Sequence, residues 1–174
     1  YVTGQTSSDN FQGVLPGSTF SSSLTETTDA FVAQLSADFT SLDYAVYLGG
    51  SNADVGYGIA VLPDRTVFVT GETASDDFSA CQENNEFGGG VDAFVSIINT
   101  DTIGCHTVYL GGLGNDIGYG IAVGVNDITG DVDVFVAGQT TSENFPTTDQ
   151  SQFYSNGGTA MPDGFVTKLH YAED

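Results

Sequence analysis

Short apolar runs rich in Val, Ile, Tyr and Phe recur along the chain, each closed off by Gly, Asp, Asn or Pro. Tyr57–Leu62, Thr66–Gly71, Asp92–Ile98 and Thr107–Leu110 are four consecutive examples, and their length, composition and boundaries predict β-strands. No longer stretch carries apolar residues at i, i+3, i+4 and i+7, and 23 glycines among 174 residues would weaken any helix interior. Phe31-Val32-Ala33, Val67-Phe68-Val69 and Ile121-Ala122-Val123 do not alternate with polar residues, so both faces of these strands are expected to be covered. The small residues of Gly58-Ile59-Ala60 and Gly120-Ile121-Ala122 suit an innermost strand, where sheets converge.

The runs repeat in order. G-[QE]-T-x-S-[DE]-[ND]-F occurs three times, beginning at Gly4, Gly71 and Gly138 and always following a strand-like run. D-[AG]-F-V occurs at Asp29, Asp92 and Asp163, and V-Y-L-G-G-x-x-x-D-[VI]-G-Y-G-I-A-V spans Val46–Val61 and again Val108–Val123. Insertions fall between the motifs: 17, 13 and 17 residues separate the Phe of the first motif from the Asp of the second. Four strands per unit, in the order a-b-c-d, is the pattern of a propeller blade. The fold class predicted is therefore all-β, with propeller-like repeats of four-stranded antiparallel sheets. Residues 1–50 hold strands b-c-d, residues 51–112 a complete a-b-c-d unit, and residues 113–174 strands a-b-c, about two and a half blades in one array.

The V-Y-L-G-G, D-x-G-Y-G-I-A-V, F-V-T-G-x-T-x-S and D-A-F-V blocks, in this order, resemble the SBBP family of propeller repeats. Phe145-Pro146 keeps the Pro that commonly follows the T-x-S-x-x-F block of that family, whereas Gln12 and Ser79 replace it. The resemblance implies a secreted or surface-exposed protein. Incomplete units at both ends of the array carry an expectation of their own: their pairing edges are to be filled by copies of the same chain or by other repeats of the same polypeptide.

Composition narrows the partners. Two Lys and Arg against 23 Asp and Glu give a net charge of −21, which excludes the basic face that nucleic acid requires. No apolar run is long enough for a membrane-spanning helix, and 40% apolar residues argue against disorder. Cys81 and Cys105 flank strand c of the middle unit. Their even number, the acidic surface and the secretion implied by the resemblance favour a disulfide over two buried thiols. Closing that loop would stabilise the fold by roughly 3 kcal/mol in the chain-entropy model. A zinc site is disfavoured, since only His106 adjoins these cysteines, and His170 is expected at the surface.

The acids recur in register: Asp54 and Asp116 in the G-G-x-x-x-D-x-G-Y-G block, and Asp9, Asp76 and Glu143 in the T-x-S block. Two readings stand. Calcium takes such oxygens in Gly-rich loops; alternatively, the acids, with Ser8, Ser75 and Ser142, satisfy backbone N–H groups of tight turns. Asn126–Asp133 is a further acid-rich stretch that lacks EF-hand order, and Asp29, Asp92 and Asp163 are assigned turn-closing roles. G-x-S-x-G, H-E-x-x-H and G-x-x-x-x-G-K-[ST] are all absent. The function expected is an extracellular structural or self-assembly module of a surface layer, filament or appendage, not an enzyme. A calcium- or glycan-binding propeller with Tyr57 and Tyr119 lining its pocket ranks second, and a hydrolase third.

Overall fold

The computed structural model describes residues 1–8, 27–78, 82–83, 86–99, 104–126, 130–146 and 161–171. These form eleven strands and no helix: β1 (Val2–Thr6), β2 (Asp29–Leu35), β3 (Leu42–Leu48), β4 (Asp54–Val61), β5 (Thr66–Thr73), β6 (Gln82–Glu83), β7 (Asp92–Asn99), β8 (Gly104–Leu110), β9 (Asp116–Val125), β10 (Val132–Thr140) and β11 (Asp163–Tyr171). They assemble into three sheets ordered β1-β2-β3, β4-β5-β7-β8-β6 and β9-β10-β11. All pairings among the long strands are antiparallel. The sheets are thus propeller-type blades, a complete one between two three-stranded ones.

Two features depart from the sequence reading. The inner strands begin three residues earlier than the apolar run suggested, so Asp54 and Asp116 are the first residues of β4 and β9 and not turn residues. The middle sheet also gains a fifth strand, because β6 lies parallel to β8 with Gln82 opposite His106. A two-residue strand leaves no periodicity for sequence to register.

Strand alternation distributes the core between the sheets. Val67 and Val69 point one way and join Ala30, Val32, Val46 and Leu48 of the first sheet, together with Phe94, Ile98 and Tyr109. Phe68 points the other way and joins Val95, Ile97 and Leu110 against Val132, Val134 and Val136 of the third sheet. The middle blade is therefore dry on both faces, as its non-alternating runs predicted. Each fully buried side chain of Val, Ile or Phe size is worth about 1.5–3 kcal/mol of transfer free energy, so these two interfaces dominate the stability.

The inner strands meet backbone to backbone. A Cβ on Gly58 would stand 3.2 Å from both the Ile121 N and the Tyr119 O of β9. Within the G-Y-G block the pairing of β4 with β5 skips Tyr57, and that of β9 with β10 skips Tyr119. Both tyrosines thus occupy β-bulges, which aim their side chains out of the sheet.

Candidate functional site

The repeated polar residues assemble at the junctions where strand d of one blade turns into strand a of the next. At the first junction Asp54 is fully buried. Its Oδ2 accepts hydrogen bonds from Gly50 N at 2.9 Å and from Ser75 Oγ at 3.0 Å, and its Oδ1 accepts one from Thr73 Oγ1. The same turn is tied down by Asn52 N donating to Ser75 Oγ at 2.9 Å and Ser51 N donating to Asp77 Oδ1 at 2.8 Å.

The second junction copies the first. Asp116 Oδ2 accepts from Gly112 N at 2.8 Å and Ser142 Oγ at 2.6 Å. Gly114 N donates to Ser142 Oγ and Leu113 N to Asn144 Oδ1, both at 2.8 Å. The G-G-x-x-x-D block and the T-x-S-x-[ND] block are therefore the two halves of one clamp, which explains why they recur together. The Gly-Gly pair is a steric necessity: a Cβ on Gly49 would lie 2.4 Å from Asp54 Oδ2, and one on Gly112 would lie 2.5 Å from Asn144 Oδ1. The Gly of D-x-G-Y-G makes room across the blade interface, since a Cβ on Gly56 or Gly118 would strike the hydroxyl of Thr3 or Thr70. Those hydroxyls donate to Phe31 O and Phe94 O.

A second carboxylate stands at each junction, contributed by the preceding blade. Asp54 N donates to Thr28 O, beside Asp29, and Asp116 N donates to Val91 O, beside Asp92, each at 2.7 Å. Asp29, Asp54, Asp92 and Asp116 are all completely buried. Burial pushes the Asp54 carboxyl up to about 6, against its three hydrogen-bond donors, and the neighbouring Asp29 charge adds to the rise. Burial likewise raises Asp92 to about 6, opposed by the amide of Gly88 and reinforced by Asp116. Asp92 Oδ2 takes that Gly88 N–H at 2.6 Å, which agrees with the turn-closing role assigned to it. The facing of Asp29 with Asp54, and of Asp92 with Asp116, was not anticipated; the signal was present in the nearly constant offset between the two acids.

The other sequence-predicted residues lie elsewhere. Asp76 and Glu143 are exposed and outside the clamp's hydrogen bonds, and Asp9 falls outside the described residues. Asn126 and Asp131 close the β9–β10 hairpin through a backbone bond of 2.8 Å. Asp133 accepts from Lys168 Nζ and pairs with His170 Nδ1, both at 2.8 Å, and His170 is exposed. Cys105 is buried in β8; Cys81 lies outside the described residues. The rings of Tyr57 and Tyr119 stand 5.6 Å apart, both about half exposed, and Tyr57 Oη donates to Glu72 Oε1 at 2.8 Å. Burial, with Glu72 and Tyr119 nearby, lifts the Tyr57 phenol to about 12.

Repeated antiparallel sheets packed face to face and clamped at each inner turn define a propeller-type repeat protein. Residues 43–79 match the family model of the SBBP β-propeller repeat, a stretch running from β3 through the first clamp to Phe78. The chain thus carries the repeat of that family, and the same blocks recur at the second clamp. No curated protein matches the sequence.

Proposed function

We propose that the protein is a structural, self-assembling repeat module, placed outside the cell in a surface layer, filament or appendage, and not a catalyst. The observation that carries this reading is the pair of unlike faces at the two ends of the blade array. Phe135 and Val166 of the third sheet occupy the places that Phe68 and Val95 hold in the middle sheet, yet they are 42% and 78% exposed where the latter are fully buried. At the opposite end Val2 occupies the place of buried Val69 and is 42% exposed. One end therefore offers the surface that a following blade packs on, and the other the surface that a preceding blade packs on. The occupant that fits is another blade of the same kind, and a second copy of this chain supplies one head to tail. Such a head-to-tail contact adds further copies until the blades close into a ring, and otherwise propagates. The acidic surface resists nonspecific association and leaves this packing as the specific one.

Sedimentation velocity of the chain across micromolar concentrations tests the reading. Concentration-dependent growth is expected, and Val166→Asp, on an exposed strand position, should reduce it at least tenfold while leaving the circular dichroism unchanged. A strictly monomeric wild-type protein over that range overturns it.

Glycan binding is the second reading, favoured by the bulge-presented pair Tyr57 and Tyr119, since half-exposed aromatic rings offer faces to a sugar. It predicts saccharide binding that Tyr119→Ala abolishes without altering self-association, measured on a glycan array.

A further inference from the structure

The two junctions share a plan but differ at one atom. At the first, the Thr73 hydroxyl donates to Asp54 Oδ1. The Thr73 and Thr140 hydroxyls both accept from the following Ser amide, Ser75 N and Ser142 N, at 2.9 Å, but at the second junction Asp116 Oδ1 is buried with no hydrogen-bond partner. Asp92 Oδ1, on the preceding blade, is likewise buried and without a partner.

Both carboxylates converge on the bare α-carbon of Gly111. The position of a Cβ there lies 2.3 Å from Asp92 Oδ1 and 2.9 Å from Asp116 Oδ2. Two completely buried carboxylates thus crowd one bare α-carbon, Asp92 with its unpartnered oxygen and Asp116 with the oxygen that already accepts from Gly112 N and Ser142 Oγ. A carboxylate oxygen left without a partner in the interior is costly unless a hydrogen-bond donor or a cation meets it.

None of the four basic side chains, all of them among the described residues, is placed to do so. Lys168 is held by Asp133. Arg65 lies in the β4–β5 hairpin, beside the Thr66–Asn99 end of the sheet, whereas Asp92 pairs with Thr73 at the other end. His170 pairs with Asp133, and His106 sits opposite Ile97 in mid-strand.

We infer that the Asp92–Asp116 junction is a binding site for one hard divalent cation, calcium in the first instance, which ties the middle blade to the third. Asp92 Oδ1 and Asp116 Oδ1 are the oxygens free to ligate, and an all-oxygen set of this kind suits calcium more than a transition metal. The first junction, where Thr73 supplies the missing donor, is not part of the site. Exposed Asp76 and Glu143 are not part of it either, and Asp9 lies outside the described residues. The inference is independent of self-assembly.

Isothermal titration of the chain with calcium chloride in about 0.15 M KCl, where exposed charges are screened, tests it. One saturable site is expected, with a Kd of about 10⁻⁴ to 10⁻³ M as in extracellular calcium modules, and calcium should raise the melting temperature relative to chelator. Asp92→Asn keeps an acceptor for Gly88 N but removes the charge, and should weaken the site about tenfold or more. Asp54→Asn, at the first junction, should leave it unchanged. Equal loss in both variants, or calcium binding that persists in Asp92→Asn, overturns the assignment. If Asp92→Asn does not fold, the wild type decides: no saturable one-to-one binding and no calcium-dependent melting shift overturn it.

Discussion

Alanine at Gly71 should destabilise the fold by about 3 kcal/mol or more, at or beyond the upper range for overpacked sites. The reason lies in the bulge at Tyr57. By skipping one residue, β4 brings its backbone onto β5, and a Cβ on Gly71 would fall 1.8 Å from Val55 O and 2.8 Å from Val55 C. A flexible side chain could swing aside from such a contact; a paired strand cannot without losing its ladder. Gly138 repeats the geometry, with Ile117 O at 2.0 Å, so Gly138→Ala should behave alike. Gly4 has no such carbonyl against it, and its Cβ would meet only the edge of the Phe31 ring at 3.0 Å, which predicts a smaller loss. Gly124 has nothing within 4 Å, and Gly124→Ala should stay within about 0.5 kcal/mol of wild type. Urea unfolding of the four variants ranks them. A Gly71→Ala protein as stable as the Gly124→Ala protein would show that the bulge does not exist as described.

This gradation also shows how far the sequence alone carries the fold. Three Gly residues in one motif announce a shared backbone requirement, but not its cause, because the carbonyls of Val55 and Ile117 that impose it belong to a different strand. Strand identity and order were legible because each strand carries its own signal: apolar on both faces for the middle blade, and small residues on the inner strands. The clamp was half legible. Asp54 with Ser75, and Asp116 with Ser142, recur in step, and turn satisfaction was one of two readings offered for them. The facing of Asp29 with Asp54 was not, since the acids lie on different blades and meet only when the sheets stack. Strand β6 and the outward aim of Tyr57 and Tyr119 were equally silent, for a two-residue strand has no period and a bulge is a property of the pairing. The end faces could be read only after alternation had been fixed by structure: Phe135 and Val166 look like core residues in any alignment of the repeats, and only their exposure shows that a face stands open.

Acidification from pH 7 toward pH 4 should stabilise the first junction, the reverse of ordinary acid denaturation. Asp54 has a folded value of about 6 against an ordinary value of 3.8, because burial, with a small addition from Asp29, outweighs the donors Thr73, Gly50 and Ser75. Between those two values the native protein holds a proton that the unfolded chain releases, so stability falls as pH rises through the window. Above about pH 6 the full cost of the buried charge is present, and below about pH 4 none of it is. Two units correspond to about 3 kcal/mol. Relief of the overall negative charge acts in the same direction, so the wild-type curve alone does not isolate Asp54. The difference between wild type and Asp54→Asn does, because the general charge term is common to both. That difference should change by about 3 kcal/mol between pH 4 and pH 7, in the sense that the variant gains on wild type as pH rises. Urea midpoints at half-unit pH steps and constant ionic strength supply it. A difference that stays flat across the window would mean that Asp54 is ionised in the folded protein throughout, and that its three donors, not its burial, set its charge.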